Sequence, residues 1–372
     1  MRAVRRFARG SAWACALVLG ASAIFLAQTW FAWQREPKAY GGTANALWAR
    51  HQWVGEPHTE AGYRALAGTL TRNTVTDVFF HVGPLDGDGA IPPARYAHAG
   101  ELLAAMRRLV PSVRAQAYVG QVERSGGGPL DLGDPGTRAR ILQTDRALLT
   151  LGFAGIHYDI EPVRPGDRDF LDLLARTHEL TRARGRVLSV ALEQLSLADW
   201  EAPVLRAVLP RRRIPARMTT AYLRAVAARV DQVAIMTYDS EAPTRALAGR
   251  HFAWHTERTL ALIGDRVTVF MGVPTYRSPT PWAEDLPTAL RGVRQGIDAL
   301  PRPPRRPYGV GVYADWTTSD RDWATFRKDW DGAGGDPVRA YGGSGTHEFV
   351  LSSDLLRRAI TWTVRRALPR LL

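Results

Sequence analysis

Eight apolar runs of strand length, at residues 46–50, 76–82, 113–119, 153–161, 186–192, 232–238, 267–273 and 308–313, are separated by stretches with helical periodicity. Residues 61–73, 99–110, 137–150, 168–184 and 220–230 repeat their apolar positions every three or four residues, as amphipathic helices do. Many of the runs are near-continuous in Val, Ile and Phe, the pattern of strands covered on both faces. Strand–helix alternation predicts an α/β fold with a parallel sheet, and eight such units are the number that closes a (β/α)8 TIM barrel. An open doubly wound sheet is the competitor, but no GxGxxG turn follows the first run. The barrel is expected over about residues 42–335, within a domain of residues 41–372 that ends in an extra basic amphipathic helix at 352–372.

The N-terminal residues 1–40 read differently. Arg2, Arg5, Arg6 and Arg9 are followed by a span without charge from Gly10 to Gln34, long enough to cross a bilayer. Trp30, Phe31 and Trp33 cluster at its far end, where amphipathic rings favour the membrane interface. A basic cytoplasmic flank, a transmembrane signal-anchor helix and an exported barrel are expected. The Ala-Ser-Ala at 21–23 also fits a cleavage site, which would release a secreted protein. The single cysteine, Cys15, lies inside this span, so the exported part has neither disulfides nor a thiol nucleophile.

The net charge of +13 is carried almost wholly by arginine, since Lys38 and Lys328 are the only lysines. Such a balance favours anionic surfaces. No basic stripe interleaved with aromatics accompanies it, so nucleic acid is not expected as a partner.

The segment GFAGIHYDIEPV, residues 152–163, places His157, Asp159 and Glu161 at every second position of an otherwise buried strand. Side chains alternate along a strand, so the three share one face. Burying them is costly unless they are paired or used. Parallel barrels carry their chemistry at the C-terminal ends of the strands, which is where these residues fall. Tyr238 and Asp239, in VAIMTYDS, stand at the same end of the sixth run, and Glu193 closes the fifth. Each also has a structural account: Glu161 as the ion-pair partner of a rim arginine, Asp159 as a hydrogen-bond acceptor for a neighbouring strand, Tyr238 as packing. Glu193 fits a loop salt bridge equally well, and His157 fits a hydrogen-bonded core histidine.

The fourth run resembles the DGxDxDxE signature of family 18 glycoside hydrolases, the chitinase family. The sixth resembles that family's MxYD segment through Met236, Tyr238 and Asp239. The resemblance implies a TIM barrel with Glu161 as the proton donor and Asp159 as its partner. It implies that Tyr238 and Asp239 hold a substrate acetamido group, and that Trp316 forms the aromatic floor beneath the reacting sugar. Ala154 and His157 replace two aspartates of the signature, and AYVGQ at 117–121 keeps one glycine, Gly120, of the family's SxGG segment.

Glycosidic cleavage needs an acid at the leaving oxygen and a group to meet the positive charge at the anomeric carbon. Asp159 and Glu161 project from one strand, an awkward way to flank a sugar, and the seventh run ends in GVPTYR without a carboxylate. A nucleophilic acetamido oxygen on the substrate resolves this, with Asp159 and Tyr238 orienting it. The expected activity is retaining, substrate-assisted hydrolysis of an N-acetylhexosamine-containing polysaccharide, with no cofactor and no metal. Tyr276, Trp282 and Trp316 are candidate sugar platforms, and His81 and His157 candidate substrate contacts. Two rivals stand: a carbohydrate-binding barrel without turnover, anchored to the envelope, and a metal-dependent hydrolase built on His81, His157 and Asp159.

Overall fold

The computed structural model describes residues 24, 26–38, 41–196, 218–277, 281 and 283–332. Its strands are β1 (Ala46–Ala49), β2 (Asp77–Pro84), β3 (Arg114–Val122), β4 (Gly155–Glu161), β5 (Val187–Leu192), β6 (Gln232–Ile235), β7 (Thr268–Pro274) and β8 (Tyr308–Tyr313). They form a closed barrel in sequence order, all neighbours parallel, with β8 returning to β1. The helices that follow them are α1 (Glu60–Arg72), α2 (Ala99–Leu109), α3 (Pro135–Leu151), α4 (Arg168–Arg182), α5 (Thr220–Ala227), α6 (Arg245–Ile263), α7 (Leu286–Asp298) and α8 (Asp320–Asp329). This is the (β/α)8 barrel that eight alternating units predict.

Side-chain caps set where helices begin. Thr59, Asp134, Asp167, Thr219, Thr244, Asp285 and Ser319 each accept a backbone N–H of the first turn. Pro135 adds a fixed φ at the first position of α3. These caps place the strand-to-helix loops, and therefore the rim.

The barrel has two apolar shells. Between sheet and helices lies the larger one, including Val78, Phe80, Ile156, Leu188, Val233 and Val269. Inside the barrel Ala46, Trp48, Phe79, Ala191, Ala234 and Phe270 fill the axis. Trp48 fits because β8 is glycine-rich: a Cβ on Gly311 would sit 2.5 Å from its ring. Below this layer the inward positions are polar and hydrogen-bonded to one another, with His157 Nε2 left without a partner. Asp77 accepts from Arg114, Gln116 and Gln232, at 2.7, 2.8 and 3.1 Å. Ser189 donates to Gln116 at 3.0 Å and in turn meets His157 Nδ1 at 2.6 Å. Since the serine proton is used on Gln116, His157 carries its own proton on Nδ1.

On the outer face of β4, Tyr158 donates to Asp145 Oδ2 of α3 at 2.5 Å and meets Thr177 of α4 at 2.8 Å. Burial pushes the Asp145 carboxyl up to about 7, against the opposing pull of the Tyr158 and Thr177 bonds. Its folded value lies above its unfolded one, so the folded state binds the extra proton. The stability it contributes is whole in acid and is lost as pH rises through about 7. Asp145→Asn is therefore expected to be more stable than the parent above pH 7, by on the order of 1–3 kcal/mol, and to converge with it near pH 4. Denaturant midpoints of both proteins from pH 4 to 8 check this. Their difference separates Asp145 from other carboxylates titrating in the same range, and a constant difference would overturn the assignment.

At the N-terminus, residues 26–34 are helical. Trp33 and the residues after it are seated on the barrel: the Arg291 guanidinium lies 4.9 Å from the Trp33 ring centre, and Gln295 donates to the Ala32 and Arg35 carbonyls. The Lys38 N–H reaches Asp298 at 2.6 Å. Among the described residues no helix is long and apolar enough to cross a membrane. Most of the expected span, with the arginine flank, Cys15 and Ala-Ser-Ala, lies outside the described residues, as does the expected C-terminal helix at 352–372. Of the long connection at 193–218, residues 197–217, with Arg211–Arg213, lie outside as well.

Candidate active site

The ladder between β3 and β4 runs in register from Gln116↔Gly155 to Val122↔Glu161. This carries the Asp159–Glu161 face to the C-terminal rim. Glu161 is the last residue of β4, partly buried, and no described arginine or lysine pairs with it. Arg206 and Arg211–Arg213 of the long rim connection lie outside the described residues. The Glu161 carboxyl is pushed up to about 8, first by burial, then by Asp159, then by Glu193. At neutral pH it keeps its proton, the state a general acid needs.

Asp159 sits one step deeper. Its Oδ2 accepts the Tyr118 hydroxyl at 2.6 Å, while its Oδ1 is buried without a hydrogen-bond partner. Burial raises its carboxyl above the usual aspartate range and the Tyr118 bond holds it back. Tyr118 lies beside His157 in the β3–β4 register, on the inward face shared with Gln116. It was legible only through strand pairing, and the sequence motifs missed it.

Tyr238 lies beyond the last rung of its strand. The sixth run was expected to extend to 238, but β6 ends at Ile235, and Met236 N–H still reaches Leu192 O at 2.9 Å. From there the backbone turns out of the sheet, with Asp239 at φ 58° and Glu241 at φ 53°. Each such non-glycine residue costs about 1–2 kcal/mol of backbone strain. Gln194 donates to the Tyr238 carbonyl at 2.7 Å, and a His251 ring nitrogen meets the Thr237 carbonyl at 3.0 Å. The Tyr238 ring faces the mouth at 9% exposure. Its hydroxyl is held well above its usual range, by burial and then by Asp159.

Around Tyr238 the rim is aromatic. Tyr313, the last residue of β8, lies 5.1 Å from Tyr238 and edge-to-face with Trp48, Tyr276 and Trp316. Trp316, the expected floor, is 42% exposed. Gly309, Gly311 and Tyr313 alternate on one face of β8, and Gly311 faces Trp48, so Tyr313 is the ring directed inward. Tyr276 reaches the mouth as expected and donates its hydroxyl to Asp239 Oδ1 at 2.7 Å. Trp282 lies outside the described residues.

The two histidines separate. His157 is fully buried among the barrel side chains, stacked on Phe79 at 3.6 Å with its ring 5° from parallel, and bonded down to Ser189. It belongs to the core beneath the mouth, which corrects its assignment as a substrate contact. His81 stands higher, 4.7 Å from the Tyr118 ring, and is lowered to about 4 by burial and by His51. It is a neutral wall of the site. Among the described residues no three His, Cys, Asp or Glu side chains converge as a metal site. Glu193, directly after β5, is close enough to raise Glu161.

The mouth therefore joins a protonated carboxyl, a buried carboxylate with one oxygen unspent, and a phenol, all walled by aromatic rings. Such an arrangement has the chemistry to protonate a leaving oxygen on one side and to stabilise positive charge beneath it. No protein-family model matches the sequence, and no curated protein is similar to it. Solved structures are similar in fold. A chitinase from Chromobacterium violaceum ATCC 12472 matches with a TM-score of 0.51 at 13% identity, over 77% of this chain and 98% of that one. The spore cortex-lytic enzyme SleL of Bacillus megaterium QM B1551 matches with a TM-score of 0.53 at 12% identity, over 78% of this chain and 75% of that one. SleL of Bacillus cereus gives the same figures. What this chain shares with them is the fold, a closed eight-stranded parallel (β/α)8 barrel.

Proposed function

We propose that this chain is a glycoside hydrolase that cleaves an N-acetylhexosamine-containing polysaccharide with retention, using the substrate's acetamido group as nucleophile. The observation that carries it is the stack of Glu161, Asp159 and Tyr238 at one rim, with Glu161 protonated at neutral pH. Glu161 gives its proton to the glycosidic oxygen as the bond to the anomeric carbon breaks. The acetamido oxygen closes on that carbon, forming a cyclic oxazolinium ion. Asp159 takes the nitrogen-borne charge, and Tyr238 holds the acetamido oxygen in place. Water then opens the ring, giving its proton to the Glu161 carboxylate and restoring the acid.

A carboxylate nucleophile needs a second acid about 5–5.5 Å across the bond. Asp159 shares its strand and face with Glu161, which favours the substrate's own nucleophile instead. The fold's likeness to a chitinase and to cortex-lytic enzymes agrees with a polymer of amino sugars. The same proposal puts the barrel outside the cytoplasm, anchored or released, and exposed Ile24, Leu26, Trp30 and Phe31 support it as part of an apolar N-terminal tether.

The test is a screen of the purified protein against chitin oligomers, peptidoglycan and partly deacetylated glucosamine polymers, read by reducing ends. Cleavage of an N-acetylated polymer is expected, unchanged by a chelator. Binding without turnover on every substrate would favour the non-hydrolytic barrel, and loss of turnover on chelation would favour metal chemistry.

A further inference from the structure

Beyond Ile235 the segment that presents Tyr238 and Asp239 has left the sheet and includes two left-handed non-glycine residues. A strained turn of this kind persists only when its surroundings over-determine it. The fixing group comes from Glu284, 45 residues on, immediately before the N-cap of α7. Glu284 is 1% exposed. Its carboxylate is directed at backbone donors: the Asp239 N–H reaches Oε1 at 2.5 Å and the Ser240 N–H reaches Oε2 at 2.8 Å. The Ser240 hydroxyl donates to Oε2 as well.

A buried carboxylate is costly unless its oxygens are filled with donors, and here both are. Glutamate fits because two acceptor oxygens meet successive N–H groups. Glutamine offers one oxygen, and its NH2 would oppose an N–H. Tyr276, also from beyond β7, holds the Asp239 side chain while Glu284 holds its backbone.

We infer that Glu284 is a positioning residue, a clamp on residues 239–240 that aims Tyr238 and Asp239 at the acetamido group of the reacting sugar. The inference builds on the glycosidase reading above. Glu284→Gln is expected to lower kcat/KM about 10- to 100-fold through kcat. Affinity for a thiazoline-fused amino sugar, a stable mimic of the cyclised intermediate, should fall at least about tenfold. Affinity for an unreactive oligosaccharide should change less than about twofold, and Glu284→Asp should recover part of the loss. In the parent protein the Asp239 and Ser240 amides should be protected from hydrogen exchange, and in Glu284→Gln they should not.

A folded Glu284→Gln with parental kcat and thiazoline affinity would overturn the clamp. So would parental Asp239 and Ser240 amides that exchange at open-loop rates, a measurement that needs no variant to fold. If the parent neither cleaves N-acetylated glycans nor binds the thiazoline, the glycosidase reading fails instead. In that case protected amides retain the clamp as a purely structural device and overturn its role in aiming the two side chains.

Discussion

Glu161→Gln is expected to reduce turnover of the preferred polymer by on the order of 10³-fold or more while leaving its binding within a few-fold of the parent. Gln keeps the shape and most of the polarity of the side chain but has no proton to give to a departing alkoxide. The loss should be largest for substrates with a poor leaving group. An aryl glycoside with an acidic phenol, which departs without protonation, should recover much of the rate in its first step. The opposite pattern, equal loss on both substrate types, would mean that Glu161 acts by something other than proton donation. Isothermal titration with an oligosaccharide, beside reducing-end kinetics on both substrate types, separates binding from chemistry.

The second large effect concerns Asp159. Asp159→Asn is expected to lower kcat by on the order of 10²–10³-fold, because the amide cannot take up the positive charge of the cyclised intermediate. It should also move the pH profile. Glu161 must be protonated to act, so the parent should lose activity as pH rises through about 8. Burial is the largest cause of that high value and Asp159 the next. Removing the Asp159 charge should bring the alkaline limb to lower pH, while burial and Glu193 keep it above the ordinary glutamate range. The acid limb, assigned to Asp159, should disappear in the variant. Because the two carboxyls are neighbours, the limbs of the parent describe the pair. An alkaline limb that stays near 8 in Asp159→Asn would dissociate the two groups.

The barrel itself was legible because its signal is local and repeated. Eight apolar runs, each followed by a helical period, leave few ways to bury that much surface. Glu161 and Asp159 were legible for the same reason, since alternation along β4 puts them on one face and Pro162 closes the strand. Tyr238 and Asp239 were found by resemblance. What escaped was set by contacts across the sequence. Tyr118 reaches Asp159 through a strand register 41 residues apart, and Glu284 reaches Asp239 across 45. No local period encodes either. His157 was read as a substrate contact because it shares the face of Asp159; it is core because it stands a layer further down the barrel axis, where Ser189 and Phe79 meet it. Trp316 and Tyr313 differ by three residues, and a two-residue alternation decides between them. The glycines of β8 carried that information, since their lack of side chains marks the face that Trp48 fills.

The seat of residues 33–38 on α6 and α7 has a mechanical corollary. A string of unfixed residues between two bodies lets their separation wander as a random walk, whereas a rigid strut sets it by geometry. With Trp33 held by Arg291 and Lys38 by Asp298, residues 33–38 are fixed to the barrel at both ends. The helical residues 26–34 rise about 1.5 Å each, so they act as a mast of fixed height. The heading of this helix relative to the barrel is set by a stiff joint, and inserting a few glycines at residue 35 would uncouple the two.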